Sequence, residues 1–260
     1  MPEAIGVHLL QPLGLVGSGR HSAVARLDPR GRLTALDLAD DDDDLLARIG
    51  TEPGTLAIDA PLAVPDETGQ RDVERVLAWC DVPAFPVSRR RLEQLHGGAR
   101  GVALARRLAA PGRQVSEALP DLVLRQIAWE HDHPLGSPPP DLAEYRAAWL
   151  GLRAPVYRPK GAGRARPTGL LPAWRLLAGV VDLGGWAPEG DGDDWAALDD
   201  AARLDAVCCA YTALRMAEPA TAMSIGTAER GRVAFPADAS LRARVTLTLG
   251  RLREEGSVRI

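Results

Sequence analysis

TLAIDAPLAVP, residues 55–65, is the stretch on which the fold turns. Its first half, through Asp59, is an apolar strand-like run, and the prolines at 61 and 65 end that strand and open a loop. An aspartate where a strand gives way to a loop is a candidate site residue, and equally a common turn or helix cap. Toward the N-terminus, AIGVHLL (4–10), SAVARLD (22–28) and RLTALDL (32–38) also have strand character. The links between them are short and hold Gly and Pro, among them the turn at Pro29 to Gly31, as antiparallel neighbours require. Between the third strand and TLAIDAPL lie Asp40 to Asp44 and LLARIG. That is enough chain for a crossover helix with its acidic end at the positive helix N-terminus, so the fourth strand is expected to run parallel to the first. The aspartate run lacks the Asp/Gly spacing of an ion-binding loop and reads as a solvated cap.

Toward the C-terminus, helical signals cover Asp72 to Cys80, Arg89 to Leu95 and Ala99 to Ala109, and QVSEALP (114–120) reads as a short fifth strand stopped by Pro120. LVLRQIAWEH is a helix, GSPPP a linker, and DLAEYRAAWLGL a helix with Leu142, Tyr145, Ala148 or Trp149, and Leu152 on one face. Residues 153–169 are basic and rich in Gly and Pro, which predicts a mobile loop. LLPAWRLLAGVV and LDDAARLDAVCCAYTALRMA are two further helices. The second carries Leu204, Val207, Cys208, Tyr211 and Leu214 as a core stripe, with Asp205 just beside it. TAMSIG and GRVAFP form a hairpin, and SLRARVTLTLGRLREE a terminal helix. Trp79, Trp129, Trp149 and Trp174 fall at helical spacings and are expected in the core, and Cys208 and Cys209 read as packing residues rather than nucleophiles.

The 260 residues are 46% hydrophobic and 25% charged, which fits a folded domain and excludes a disordered chain. No window approaches the length of a membrane span, and Glu3 stands where a signal peptide carries positive charge, so a cytoplasmic protein with no membrane partner is expected. Three cysteines, two of them adjacent and none in a zinc spacing, support neither a disulfide framework nor structural zinc. A net charge of −4 argues against a protein that coats nucleic acid through bulk electrostatics, so any polyanion contact must be local. Lys160 is the single lysine among cations that are otherwise arginine, which reads as coding bias.

The resulting order, β-β-β-α-β-α-β-α, is that of the ribonuclease H topology: a five-stranded mixed sheet in the order 3-2-1-4-5, flanked by helices. The expectation is one elaborated domain over 1–260, with a core at about 4–120 and 194–217, a helical insertion at about 121–185, and a C-terminal hairpin and helix at 220–260. In such a sheet the C-terminal end of the fourth strand lies beside the first, so carboxylates on different elements can converge. Converging carboxylates can hold two divalent ions that clamp the attacking and leaving oxygens of a phosphodiester. The candidates are Asp59, Glu117 and Asp205, each of which is also compatible with a cap or a surface charge.

IGVHLL, GTLAIDAPLAVP, the Arg-Asp-x-x-Arg of QRDVERVLAWCDVPAFPVSRRRLEQL, VSEALPDLVL, ARLDAVCCAYTALRMA and SIGTAERGRVAFP occur in that order between about Ile5 and Pro236. Together they resemble the domain-of-unknown-function 429 family, predicted nucleases of ribonuclease H-like fold. That family pattern opens with Gly-Ile-Asp, continues with Ile-Asp-x-Pro and Glu-x-x-Pro, and ends with an aspartate on the penultimate helix before a run of alanines. The resemblance implies a site at His8, Asp59, Glu117 and Asp205, with Asp59, Glu117 and Asp205 as ligands of magnesium or manganese. It also implies nucleic acid or a nucleotide as substrate. The departure is His8, which stands where the pattern has an aspartate. An imidazole is a poor ligand for magnesium and a good one for manganese, zinc or iron, so the metal preference shifts, the activity is lost, or His8 is a structural histidine of the sheet.

Arg71, Arg75, Arg89 and Lys160 stand where a phosphate-binding rim is expected, as do Arg90, Arg91, Arg158, Arg164 and Arg166, although charge runs are commonly solvated faces. Two functions follow: a metal-dependent phosphodiester hydrolase, or a catalytically degenerate module of the same fold that binds nucleic acid or a protein partner. An actin-like or sugar-kinase ATPase is weaker, because the chain has no second Gly-rich phosphate loop.

Overall fold

A computed structural model describes residues 2–10, 21–82, 84–133, 141–157, 169–189 and 194–260. The first half of the chain supplies β1 (Ala4–His8), β2 (Ser22–Leu27), β3 (Leu33–Ala39), α1 (Asp42–Ile49), β4 (Gly54–Asp59), α2 (Asp72–Trp79), α3 (Arg89–His96), α4 (Arg100–Leu108) and β5 (Arg113–Glu117). The second half supplies α5 (Pro120–Asp132), α6 (Leu142–Gly151), α7 (Leu170–Ala178), α8 (Asp194–Arg215), β6 (Ala222–Thr227), β7 (Gly231–Pro236) and α9 (Ala239–Glu254). The five expected strands take the order β3-β2-β1-β4-β5. The expected sheet is nevertheless too small: it has seven strands, because β7 pairs parallel to β5 and carries β6 beyond it at the edge. The late hairpin extends the sheet because its inner strand finds a free edge on β5 and satisfies backbone groups there.

β1 pairs antiparallel with β2 and parallel with β4, in a register that sets His8 beside Asp59. Successive side chains of a strand point to opposite faces, and the sequence uses this to build two different surfaces. Ile5, Val7, Leu9, Leu56 and Ile58 pack on one face with Leu45 and Ile49 of α1 and Leu104 and Leu108 of α4. The other face is lined with small residues, Ala4, Ala23, Ala25 and Ala57, and is covered by α8, itself overlaid by α5 and α7. Gly6 belongs to this face. A Cβ there would lie 2.0 Å from the carbonyl oxygen of Ala206 and from the amide of Ala210, so helix and strand approach each other backbone to backbone. A third cluster joins β6, β7, α2 and α9 to Trp129, Tyr145 and Trp149.

The crossover α1 begins as its aspartates predict, with Asp41 accepting from the amides of Asp43 and Asp44. Trp79 corrects the expectation of a core residue: it is 55% exposed, its ring covered by the Arg251 guanidinium at 4.5 Å. Cys208 and Cys209 are buried, and burial raises both thiol pKa values, which fits packing residues. The GSPPP linker and most of the basic Gly/Pro loop lie outside the described residues. No helix among the described residues is long and apolar enough to cross a membrane.

Candidate functional site

Three of the four expected site residues meet at the C-terminal end of β1 and β4. His8 and Asp59 are register partners on adjacent parallel strands, and both side chains extend the row of small residues that faces α8. Asp205 comes down from α8 onto them. The His8 imidazole places Nδ1 3.0 Å from Asp59 Oδ2 and 3.2 Å from Asp205 Oδ2. One ligand atom from each of the three lies within 4.8 Å of the others. His8 and Asp205 are buried, whereas the Asp59 side chain keeps 28% of its surface exposed, so the group opens outward through Asp59. Tyr157 donates its hydroxyl hydrogen to Asp205 Oδ1 and is itself buried. Its sequence context, a tyrosine within a basic Gly/Pro segment, gave no signal of this role.

Asp205 is buried because α8 is covered on both sides. Sheet residues pack beneath it and α5 and α7 above, so a position beside the apolar stripe is as enclosed as the stripe itself. A buried carboxylate needs partners, and Tyr157 and His8 supply them.

Glu117 does not join this group. It ends β5 as expected, but both its oxygens are held by the Arg71 guanidinium, Nη1 donating to Oε1 and Nη2 to Oε2 at 2.7 Å each. The Leu62 amide donates to Oε1 at 2.9 Å. Arg71 is likewise not a phosphate-binding rim residue. It is buried at the N-terminus of α2, its Nε donates to Glu74 Oε1 at 2.7 Å, and Nη1 also donates to the Ala63 carbonyl at 2.8 Å. Burial alone would lower the Arg71 pKa, but Glu117 and Glu74 outweigh it and raise it, while burial raises the Glu74 pKa against the pull of Arg71. This fork sews the loop after β4 to the end of β5. Arg75 is turned away too, donating to the Ser257 carbonyl of the C-terminal segment, and Arg89 reaches the Pro65 carbonyl at 2.6 Å and Glu67 at 3.3 Å. Lys160, Arg158, Arg164 and Arg166 lie outside the described residues.

A single ion fits the His8/Asp59/Asp205 group better than the pair expected from the sequence. First-row divalent ions take imidazole and carboxylate donors at about 2.0–2.2 Å, so neighbouring donors around one ion stand roughly 3 Å apart. The two measured N–O separations match that spacing, and the same spacing is a hydrogen bond when Nδ1 carries a proton. One imidazole with two carboxylates suits manganese, zinc or iron more than magnesium. Protein-family models, curated proteins and solved structures offer no match to this chain.

Proposed function

We propose that this protein is a divalent-metal-dependent phosphodiester hydrolase of ribonuclease H-like fold, with His8, Asp59 and Asp205 holding a manganese- or zinc-type ion. The observation that carries the reading is the convergence of three donors from β1, β4 and α8, within 4.8 Å of one another, at the C-terminal end of two parallel strands. When bound, such an ion polarises a phosphoryl oxygen and lowers the pKa of water. The chain's own residues do the rest. Tyr157 holds Asp205 in place through one oxygen and leaves the other facing His8. Asp59, the exposed member, is the side through which substrate reaches the group. The motif resemblance to the domain-of-unknown-function 429 family supports the same reading.

One observation favours the second reading, a degenerate binding module. Arg71 occupies the carboxylate that would be the fourth member of the site, and a buried bidentate ion pair does not release its glutamate cheaply. Calorimetric titration of the wild type with manganese, zinc and magnesium separates the two, accompanied by hydrolysis of single-stranded DNA, RNA and an activated phosphodiester. Manganese or zinc binding that is lost in Asp59→Asn and Asp205→Asn, with hydrolysis following metal occupancy, is the expected result. A wild type that binds no divalent ion sinks the hydrolase and leaves the module.

A further inference from the structure

A second histidine stands beside the metal-ligand group. His21 directly precedes β2, with its Nδ1 3.0 Å from Asp199 Oδ1 and its Nε2 3.3 Å from Asp40 Oδ1. The two carboxylates differ. Asp199 sits on α8 and is buried, whereas the Asp40 side chain is 84% exposed. A buried carboxylate on one ring nitrogen fixes the orientation of the imidazole and keeps a proton there. Nε2 is then the nitrogen turned outward, and an exposed carboxylate such as Asp40 holds it only weakly against water or a ligand. The next residue, Asp200, accepts from the Glu189 amide and from Arg203, so its role is structural. Asp199 instead orients a base.

The register places this pair next to His8. β1 and β2 run antiparallel with His8 opposite Ala23, and His21 lies two residues beyond Ala23, past the C-terminal end of β1. Ala23 belongs to the face beneath α8, and His21 reaches α8 as well. His8 and His21 are therefore diagonal neighbours on one face, with backbones about 7–8 Å apart. The helix agrees. Asp205 meets His8 while Ala206 and Ala210 meet Gly6, so α8 runs against β1 and carries Asp199 outward, about 9 Å along its axis from Asp205. Coordination to an ion spans about 2.0–2.2 Å and proton transfer about 2.6–3.2 Å, which leaves room between the two histidines for a phosphoryl group.

A site for one ion also leaves a task undone. In two-ion sites the second ion stabilises the leaving oxygen. With one ion that oxygen needs a proton instead. We propose that His21 is the general acid of the hydrolase, with Asp199 as its positioning residue. The inference rests on the hydrolase reading. Water adds its oxygen to phosphorus and gives up a proton to solvent. The bond from phosphorus to the leaving oxygen breaks with its electron pair on oxygen, which takes the proton of His21 Nε2. The products are a phosphomonoester and an alcohol, and His21 regains its proton from solvent.

The test compares two leaving groups in the manganese-loaded, full-length protein. Single-stranded DNA releases an alcohol, and bis(p-nitrophenyl) phosphate releases a phenolate that needs no proton. General acid catalysis contributes about 10²–10⁴-fold, so His21→Gln is expected to lower kcat on DNA about a hundredfold or more, and at least tenfold more than on the nitrophenyl ester. The retained nitrophenyl rate also shows that the variant is folded. A loss on DNA less than tenfold greater than on the ester gives His21 a structural role and overturns the proposal. A wild type that cleaves the ester but not DNA also overturns it and leaves the metal-dependent hydrolase, whereas a wild type inert to both removes the hydrolase and His21's role with it. Ring 15N spectra of the metal-free protein in alkaline solution give a readout without turnover. The His21 proton is expected on Nδ1, and a proton on Nε2 overturns Asp199 as the positioning residue.

Discussion

His8 bridges two carboxylates, its Nδ1 lying within reach of an oxygen of each. Its Nδ1 lies within hydrogen-bonding distance of Asp59 at the end of β4 and of Asp205 on α8. His8→Asp removes that bridge and adds a third negative charge, so like charges crowd one point. The variant is expected to be less stable than wild type by about 2–4 kcal/mol without metal, a drop of roughly 5–15 °C in Tm at this chain length. Magnesium should restore much of that loss, because hard cations favour oxygen donors and a ligand that binds only the folded state raises its stability. Thermal melts of both proteins with and without magnesium check this. A His8→Asp protein that melts with the wild type and ignores magnesium would show that the three side chains do not act as one group. The position of His8 was legible only through the family resemblance, whose pattern has an aspartate there. Tyr157, the partner of Asp205, was not, because nothing in RAPVYRP marks a tyrosine that must satisfy a carboxylate on a distant helix.

At the scale of elements, the contact of β1 with α8 sets the depth of the site. Gly6→Ala would drive a methyl into the Ala206 carbonyl and the Ala210 amide, both backbone atoms with no rotamer to yield. The change is expected to destabilise by about 3 kcal/mol or more. Gly250→Ala serves as the comparison: it lies inside α9, its Cβ would meet nothing within 4 Å, and it should stabilise by up to about 1 kcal/mol. Urea unfolding of the pair decides whether close approach, rather than the loss of any glycine, is the cause.

Asp81 ties three other elements together. It follows α2, adopts φ +54°, and receives Arg146 of α6 and Arg244 of α9. The hydrogen bond from Arg146 is the first cause that holds its carboxyl below the ordinary value of 3.8, with Arg244 adding to it. A depressed carboxyl pKa contributes stability that is present above the unfolded value and lost as pH falls through the folded one. Asn tolerates the same backbone, so Asp81→Asn should be about 1–2 kcal/mol less stable than wild type at pH 7, with the gap closing below about pH 4. A gap at pH 3 as large as that at pH 7 in chemical denaturation would assign the effect to packing. The elements themselves were largely readable from periodicity and proline placement. Burial was less so, because the enclosure of α8 and the exposure of Trp79 depend on which helices cover them, and periodicity cannot say that.

Across the whole molecule the sheet is continuous but unevenly joined. β1, β2, β4 and β5 pair along several residues each, whereas β5 meets β7 through the single pairing Glu117 to Val233. The Arg71 fork sits on that seam: a Cβ on Gly231 of β7 would lie 2.6 Å from Arg71 Nη1 and 3.2 Å from Glu117 Oε1. The sequence indicated the hairpin and the terminal helix but not their attachment, since a parallel pairing between segments so far apart leaves no local pattern. For the same reason Arg71 read as part of a phosphate-binding rim when it is the buried counter-ion of two carboxylates. Arg71→Met would strand Glu74 and Glu117 without a counter-charge, a loss of about 3–5 kcal/mol, and adding Glu117→Gln should recover part of it. The loss should also be local. In native-state hydrogen exchange, amides of β6, β7 and α9 are expected to lose protection by more than those of β1, β2 and β4, because the first group reaches the sheet only across the seam while the second shares the two cores on either side of β1. An equal loss in both groups would mean that the seam is no weaker than the rest of the sheet, and that the Arg71 fork stabilises the molecule as one unit.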